Sequence, residues 1–112
     1  MKGTQLGEFE EIVLLAVCKL YPDAYGVSVK NEINDTANRS INLSTAHGAL
    51  NRLEEKGLVG SEFGEATSTR GGKRKKMFTI TSIGLKKLRE AKELRDGLWS
   101  QIPEVVFDLH QS

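Results

Sequence analysis

Apolar residues recur every three or four positions in four stretches of this sequence, which is the spacing of an amphipathic helix. The predicted helices cover residues 7–21, 27–37, 43–56 and 83–102. Pro22 and Pro103 end the first and the last of them. Gly57 suits the end of the third, because glycine tolerates a left-handed backbone. The apolar residues after Pro103 are too few to assign to an element.

The first predicted helix is apolar around more of its circumference than one buried stripe requires. Beside the stripe that includes Phe9, Ile12 and Val13, it carries Leu14 and Leu15 on neighbouring faces. Such a helix needs cover on more than one side. A chain of 112 residues would struggle to supply that cover alone, so the pattern favours a partner chain.

After Gly57 the apolar spacing changes to alternation, which predicts two strands joined as a hairpin. The strands cover residues 58–63 and 75–81, and a polar stretch with several glycines makes the turn between them. Three helices, a hairpin and a further helix follow the order of a winged helix-turn-helix. We therefore predict a mainly α fold with a small β-hairpin, which comprises a winged-helix DNA-binding domain in residues 1–80 and a C-terminal dimerisation helix and tail in residues 81–112.

The composition is that of one globular domain. Of the 112 residues, 38% are hydrophobic, and 16 Lys and Arg nearly balance 15 Asp and Glu. The apolar run 12–18 is far shorter than the roughly 18–20 residues that span a bilayer. The start of the sequence also lacks the pattern of a secretion signal, so we expect a cytoplasmic protein with no membrane partner. The single cysteine, Cys18, cannot form an internal disulfide and is expected to be a buried thiol.

Positive charge is concentrated at the predicted turn of the hairpin. Residues 70–76 read R-G-G-K-R-K-K, and five of these seven residues are basic. A wing that lies along a DNA backbone needs charge more than shape, because phosphate contacts are electrostatic and release counterions. We therefore expect the wing to contact phosphates through Arg70, Gly71, Gly72, Lys73, Arg74, Lys75 and Lys76.

The third predicted helix has a small, polar outer face opposite its Leu and Ala residues. Small side chains let a helix approach base edges closely, and Ser, Thr and Asn can donate and accept hydrogen bonds there. The expected DNA contacts of this recognition helix are Ser44, Thr45, His47, Gly48, Asn51 and Arg52. At the start of the second helix, we expect a phosphate contact at Tyr25 and Gly26.

A winged-helix module that binds a protein instead of DNA is the main alternative. A protein-binding surface carries aromatic or large apolar anchors. The outer face of the third helix carries small polar residues instead, which favours DNA.

No motif in the sequence predicts catalysis, a cofactor or a metal. Glu54 and Glu55 are adjacent and point to different sides of a helix, which is unsuitable for paired acid and base work. The glycine pair of the hairpin does not open a helix, so it is not a phosphate-cradling loop. A metal site would need His47, His110 and Cys18 together, and Cys18 is expected in the core. We therefore predict no enzyme and no metal site.

Three segments together resemble the PadR family of bacterial transcriptional regulators. They are A-Y-G, A-L-N-R-L-E-E-K-G-L-V and G-G-K-R-K-K-M-F-T-I-T-S-I-G, at residues 24–26, 49–59 and 71–84. The combination of the second and third segments is specific, whereas neither alone would be. The sequence departs from the family at His47, where the family usually has Tyr, and at Phe78, where Tyr is frequent.

The resemblance implies a winged-helix repressor, a homodimer held by the first and last helices, and a palindromic double-stranded DNA operator. Together with the wide apolar faces, it leads us to expect a dimer interface made by Phe9, Val13, Leu94, Leu98, Trp99 and Ile102. The short C-terminal region resembles compact members with one C-terminal helix, several of which respond to small hydrophobic compounds at the dimer interface. Interface packing is the favoured role for Trp99, and a small hydrophobic effector there stays an open alternative.

Overall fold

The computed structural model describes residues 6–64 and 74–111, and within them it contains five helices and one two-stranded antiparallel hairpin. In chain order the elements are α1 (Glu8–Leu20), α2 (Gly26–Thr36), α3 (Leu43–Glu55), β1 (Val59–Phe63), β2 (Lys76–Ile80), α4 (Ser82–Ser100) and α5 (Glu104–Leu109). The predicted mainly α fold with a small hairpin is therefore confirmed. The sequence pattern does not predict the helix α5.

Local side-chain and backbone features set the ends of the helices that matter for function. The Asn42 side chain accepts a hydrogen bond from the Thr45 N–H at 2.8 Å and so caps the start of α3. Gly57 follows the end of α3 with a φ of 78°, in agreement with its expected role after the helix. Thr81 accepts from the Gly84 N–H at 3.0 Å, so Thr81 caps α4. These features set both ends of α3 and the start of α4.

The core lies between α1, α2, α3 and the hairpin. Leu14, Leu50 and Phe78 are fully buried in it, with Leu53 of α3 beside them. Cys18 is half-buried against this core, and burial raises the pKa of its thiol. The apolar face of α3 packs into the core through Ala46, Ala49, Leu50 and Leu53, whereas Leu43 at its start is exposed.

The hairpin is joined to the helices as well as to itself. Its register runs from Val59 opposite Ile80 to Phe63 opposite Lys76. In addition, the Phe78 N–H donates to the Ala24 carbonyl oxygen at 2.8 Å, just before α2 begins. The base of the hairpin is therefore fixed beside the start of α2.

The helix α4 begins inside the fold and then leaves it. Gly84 is buried against the Leu58 carbonyl, and Leu88 is the last buried residue of the helix. The molecule measures 61 × 34 × 22 Å and has a radius of gyration of 17.2 Å, against about 13 Å for a compact domain of about 100 residues. After Leu88, neither the rest of α4 nor α5 contains a buried residue.

Candidate nucleic-acid interface

The outer face of α3 is exposed, and among its predicted contact residues His47 also touches Gly26 at the start of α2. All the side chains that the sequence predicts as DNA contacts on this helix are exposed, and Gly48 is half-buried. Their neighbours on the opposite face, Ala46, Ala49, Leu50 and Leu53, are fully buried. The packing of α3 therefore holds one face rigidly in the core and presents Ser44, Thr45, His47, Gly48, Asn51 and Arg52 together on the other side.

Gly48 lies in the middle of this face, and the fold itself does not require a glycine there. A Cβ atom at this position would lie 3.5 Å from Arg52 Nη1, which is an ordinary contact. A glycine in a helix interior lowers helix stability relative to alanine. Its presence here leaves the backbone of α3 accessible at the centre of the face.

His47 is seated against the start of α2. A Cβ atom on Gly26 would lie 2.5 Å from His47 Cε1, so only glycine allows the imidazole its observed position. Gly26 itself is buried, while His47 remains exposed. The two predicted site residues Gly26 and His47 are thus in direct contact.

The outer end of the described hairpin meets the start of α2 through a cation–π contact. Lys75 Nζ lies 4.2 Å from the centroid of the Tyr25 ring. The backbone of Lys75 also accepts a hydrogen bond from the Gly64 N–H at 2.7 Å, and Arg74 Nε donates to the Gly64 carbonyl oxygen at 2.9 Å. The structure therefore brings Tyr25 and Lys75 together, although the sequence pattern gives no sign that they meet.

Lys76 points away from Lys75 and is paired with an acid. Its Nζ lies 3.3 Å from Oε1 of Glu54 in the last turn of α3. The other oxygen of Glu54 accepts a hydrogen bond from Ser61 Oγ at 2.5 Å. The Ser61 hydrogen bond lowers the pKa of Glu54, burial opposes this shift, and Lys76 adds to the lowering by hydrogen bond and charge. Glu54 therefore joins α3 to both strands of the hairpin.

Sequence reasoning misses this role of Glu54, which the sequence presents only as one of two adjacent carboxylates. The signal that could have found it is the short turn at Gly57. Because the hairpin starts directly after α3, the last turn of the helix must lie beside the strands. Polar residues of β1 and β2 are then within reach of an acid at that turn.

Four of the predicted wing residues, Arg70, Gly71, Gly72 and Lys73, lie outside the residues that the structure describes. The described wing contributes Arg74, Lys75 and Lys76. The main chains of residues 64 and 75 are hydrogen-bonded to each other, so the two arms of the hairpin are still paired at this point.

The residues predicted for a dimer interface are not all at the surface. Val13 is fully buried in the core of its own chain, because the wide apolar face of α1 is covered by α2, α3 and the hairpin. Phe9 is half-buried and has the Arg39 guanidinium 5.9 Å from its ring centroid. The predicted α4 residues differ, with Leu94, Leu98 and Trp99 exposed by 64%, 62% and 65%. Ile102, after α4, is half-buried.

The end of α4 forms an apolar surface with α5. The Trp99 and Phe107 rings are 5.6 Å apart between centroids and are tilted by 58°. The α5 side chains Val105, Val106, Phe107 and Leu109 are all exposed as well. An exposed apolar area of this kind is typical of an interaction site.

Membrane spans and metal clusters are both absent from residues 6–64 and 74–111. In that part of the chain, no helix has the length and apolar content needed to cross a bilayer. The same residues contain no cluster of three His, Cys, Asp or Glu side chains arranged to hold a metal ion.

Comparison with known proteins gives a match over more than half of the chain. Residues 14–90 match the Transcriptional regulator PadR-like family. A search of curated proteins finds no match.

Solved structures are similar over most of the chain. A PadR family transcriptional regulator from Eggerthella lenta is 27% identical, with a TM-score of 0.64, over 94% of this chain and 88% of that one. A PadR-like regulator from Bacillus cereus is 21% identical, with a TM-score of 0.68, over 93% and 92%. A PadR-like transcription factor from Bacteroides fragilis is 22% identical, with a TM-score of 0.69, over 82% and 84%.

Proposed function

Because the chain belongs to the PadR-like family of transcriptional regulators, we propose that it is a homodimeric repressor that binds a palindromic DNA operator. Family membership makes the protein a regulator of transcription rather than an enzyme. The dimer, the repression and the operator are the parts that we propose. The observation that carries the proposal is the free, small, polar face of α3 beside a basic hairpin.

Sequence recognition is assigned to α3. Its outer face offers hydroxyl and amide groups that can pair with base edges in the major groove. Gly48 lets the helix backbone approach the bases. Arg52, one turn further along, can reach either a phosphate or a guanine.

Phosphate binding is assigned to the wing and to the start of α2. Lys75 over the Tyr25 ring places a positive charge beside the first turn of α2. The remaining basic residues of the wing add sequence-independent attraction, which weakens as salt increases.

Dimerisation is assigned to the exposed apolar residues of α4. Leu94, Leu98 and Trp99 form a surface that one chain leaves uncovered, and a second copy of the chain would bury it. A two-fold dimer presents two recognition helices, so its operator is expected to be an inverted repeat with half-sites about one helical turn apart.

A selection from a pool of randomised DNA duplexes tests this function without assuming where the operator lies. We expect the selected duplexes to share an inverted repeat and to bind at least about 10³-fold more tightly than scrambled duplexes at physiological salt. A pool that shows no common sequence after selection would contradict the proposed operator binding.

The substitution Asn51→Ala tests the role of α3 in reading bases. Removing a hydrogen bond to a base edge should relax the preference at one base pair of each half-site by about 1–3 kcal/mol. Asn31→Ala on the exposed side of α2 is the matched control and should leave the preference unchanged. A uniform decrease in affinity for all duplexes with Asn51→Ala would mean that this residue does not read sequence.

A repressor gated by a small hydrophobic effector is the second candidate. The exposed Trp99 and Phe107 rings favour it, since flat apolar compounds stack on aromatic faces. Titration with hydrophobic dyes should then change Trp99 fluorescence and weaken operator binding together. Unchanged emission with unchanged operator affinity would remove this candidate.

A further inference from the structure

We propose that the two adjacent lysines of the wing have different roles: Lys75 contacts a DNA phosphate, whereas Lys76 is a structural residue that Glu54 holds between α3 and the hairpin. Glu54 is then a positioning residue, which sets the wing relative to the recognition helix. The inference rests on the proposed DNA binding and divides the basic wing into two parts.

The charge of Lys76 is already compensated. Its Nζ lies 3.3 Å from Glu54 Oε1, and the two side chains are similarly shielded, with 35% and 34% of their surface exposed. Glu54 is in turn held by the Ser61 hydroxyl, so the carboxylate is fixed from β1 as well as from β2. An ammonium group in such a pair has little net charge to offer to a phosphate.

The charge of Lys75 is oriented by an aromatic ring, and no acidic side chain pairs with it among residues 6–64 and 74–111. An aromatic face attracts a cation through its quadrupole and carries no net charge, so the ammonium group over Tyr25 keeps its full positive charge. Lys75 is also exposed, in contrast to the half-buried Lys76. The Tyr25 ring therefore directs Lys75 towards the start of α2, where the DNA backbone is expected.

Removing Lys76 would leave the Glu54 carboxylate without its counterion. A bare carboxylate beside the DNA backbone repels phosphates, so a substitution of Lys76 weakens binding even though Lys76 touches no phosphate. This repulsion disappears if Glu54 is neutralised at the same time. Neutralising Glu54 cannot restore a missing phosphate contact, and this difference separates the two roles.

The experiment measures DNA affinity at several salt concentrations for Lys75→Gln, Lys76→Gln and Glu54→Gln/Lys76→Gln, using selected and scrambled duplexes. We expect Lys75→Gln to reduce the slope of log affinity against log salt by about 0.9 for each phosphate that Lys75 neutralises in the wild type. Lys76→Gln should weaken binding. The double variant should recover the wild-type slope and bind more tightly than Lys76→Gln, with any remaining loss of affinity due to the missing Glu54 contact that positions the wing. A double variant that stays as weak as Lys75→Gln, with an equally reduced slope, would overturn the proposal.

A measurement without DNA separates this inference from the proposed function. In a double-mutant cycle of Glu54→Gln and Lys76→Gln, we expect a coupling of about two- to fivefold in the unfolding equilibrium constant. The absence of coupling would overturn the structural role of Lys76 whatever the DNA result. If the coupling is present but the wild-type protein binds no duplex, the DNA-binding proposal fails and the structural pair stands.

Discussion

Two glycines of this chain show how differently the same residue type can be used. At Gly84 a Cβ atom would collide with the carbonyl oxygen of Leu58 and lie 2.9 Å from Ile80 Cγ1. The first of these neighbours is backbone and cannot turn aside. At Gly48 the nearest atom belongs to the end of the flexible Arg52 side chain. Gly84 is thus required by packing, and Gly48 is free to serve binding.

This difference predicts opposite effects of two alanine substitutions. Gly84→Ala should destabilise the protein by about 1–3 kcal/mol, because α4 must move away from the hairpin. Gly48→Ala should stabilise it by about 0.5–1 kcal/mol but weaken operator binding, because the added methyl group separates α3 from the bases. Urea unfolding and fluorescence anisotropy measure the two effects. Full operator affinity in Gly48→Ala would show that the helix does not approach DNA through this residue.

At this scale the sequence predicts the outer face of α3 well, because helical spacing alone puts Ser44, Thr45 and Asn51 opposite the buried residues. It does not separate Lys75 from Lys76. Both are basic and adjacent, and what distinguishes them is the identity of their neighbours, Tyr25 and Glu54. Those neighbours are far away along the chain, so only the folded structure shows that they contact the two lysines.

At the scale of elements, α3 is held in place by side-chain contacts just before its start and just after its end. Before it, the Asn34 side chain accepts from the Ile41 N–H at 2.8 Å and donates to the Ile41 carbonyl oxygen at 3.1 Å. After it, Lys56 Nζ pairs with Glu10 Oε2 of α1 at 2.7 Å. Burial raises the pKa of Glu10, but the Lys56 hydrogen bond, the Gly7 N–H and nearby positive charges outweigh it and lower the pKa.

The lowered pKa of Glu10 predicts a pH-dependent contribution to stability. Because the folded value lies below the ordinary value of 4.5, the contribution is fully present above pH 4.5 and is lost as the pH falls through the folded pKa. Glu10→Gln should therefore lower the melting temperature near neutral pH, and this effect should be lost as the pH falls below 4.5 and through the lowered pKa of Glu10. Glu55→Gln, at an exposed position of α3, is the control. An equal melting-temperature difference at both pH values would contradict the Glu10–Lys56 pair.

Elements with a clear period are predicted with ends that differ from the structure by at most two residues. The helix α5 is missed for a physical reason. It has six residues, which is less than two turns, so its apolar residues cannot show a period. It also follows Pro103, which is its N-cap and at the same time the residue that predicts the end of α4.

At the scale of the whole molecule, a large apolar surface on the second half of α4 stays exposed in the single chain. The winged-helix part has a closed core, but the second half of α4 extends from it with its leucines exposed. An Arg95 to Glu11 ion pair of 2.7 Å ties this part of α4 to α1. The wide apolar pattern of α1 predicts a need for extra cover. Other elements of the same chain bury Val13 of α1. The exposed apolar residues therefore lie mainly on α4.

A charged residue in the exposed apolar surface of α4 should break the proposed dimer. Leu98→Glu is expected to give a monomer of 12.4 kDa in sedimentation, while the wild type sediments with twice that mass. Operator affinity should fall as well, because one recognition helix reads only half of an inverted repeat. Val27→Glu, at an exposed apolar position of α2, is the control and should leave the dimer intact. A wild-type protein that sediments as a monomer would contradict the proposed interface.

The most direct test of operator recognition is an anisotropy titration with DNA from immediately upstream of the protein's own gene, beside random DNA of equal length, at two salt concentrations. We expect a preference of at least about 10³-fold for the upstream DNA, which persists at the higher salt. Equal and salt-sensitive binding to both duplexes would contradict specific recognition by α3. No binding to either duplex at low salt would contradict DNA binding itself.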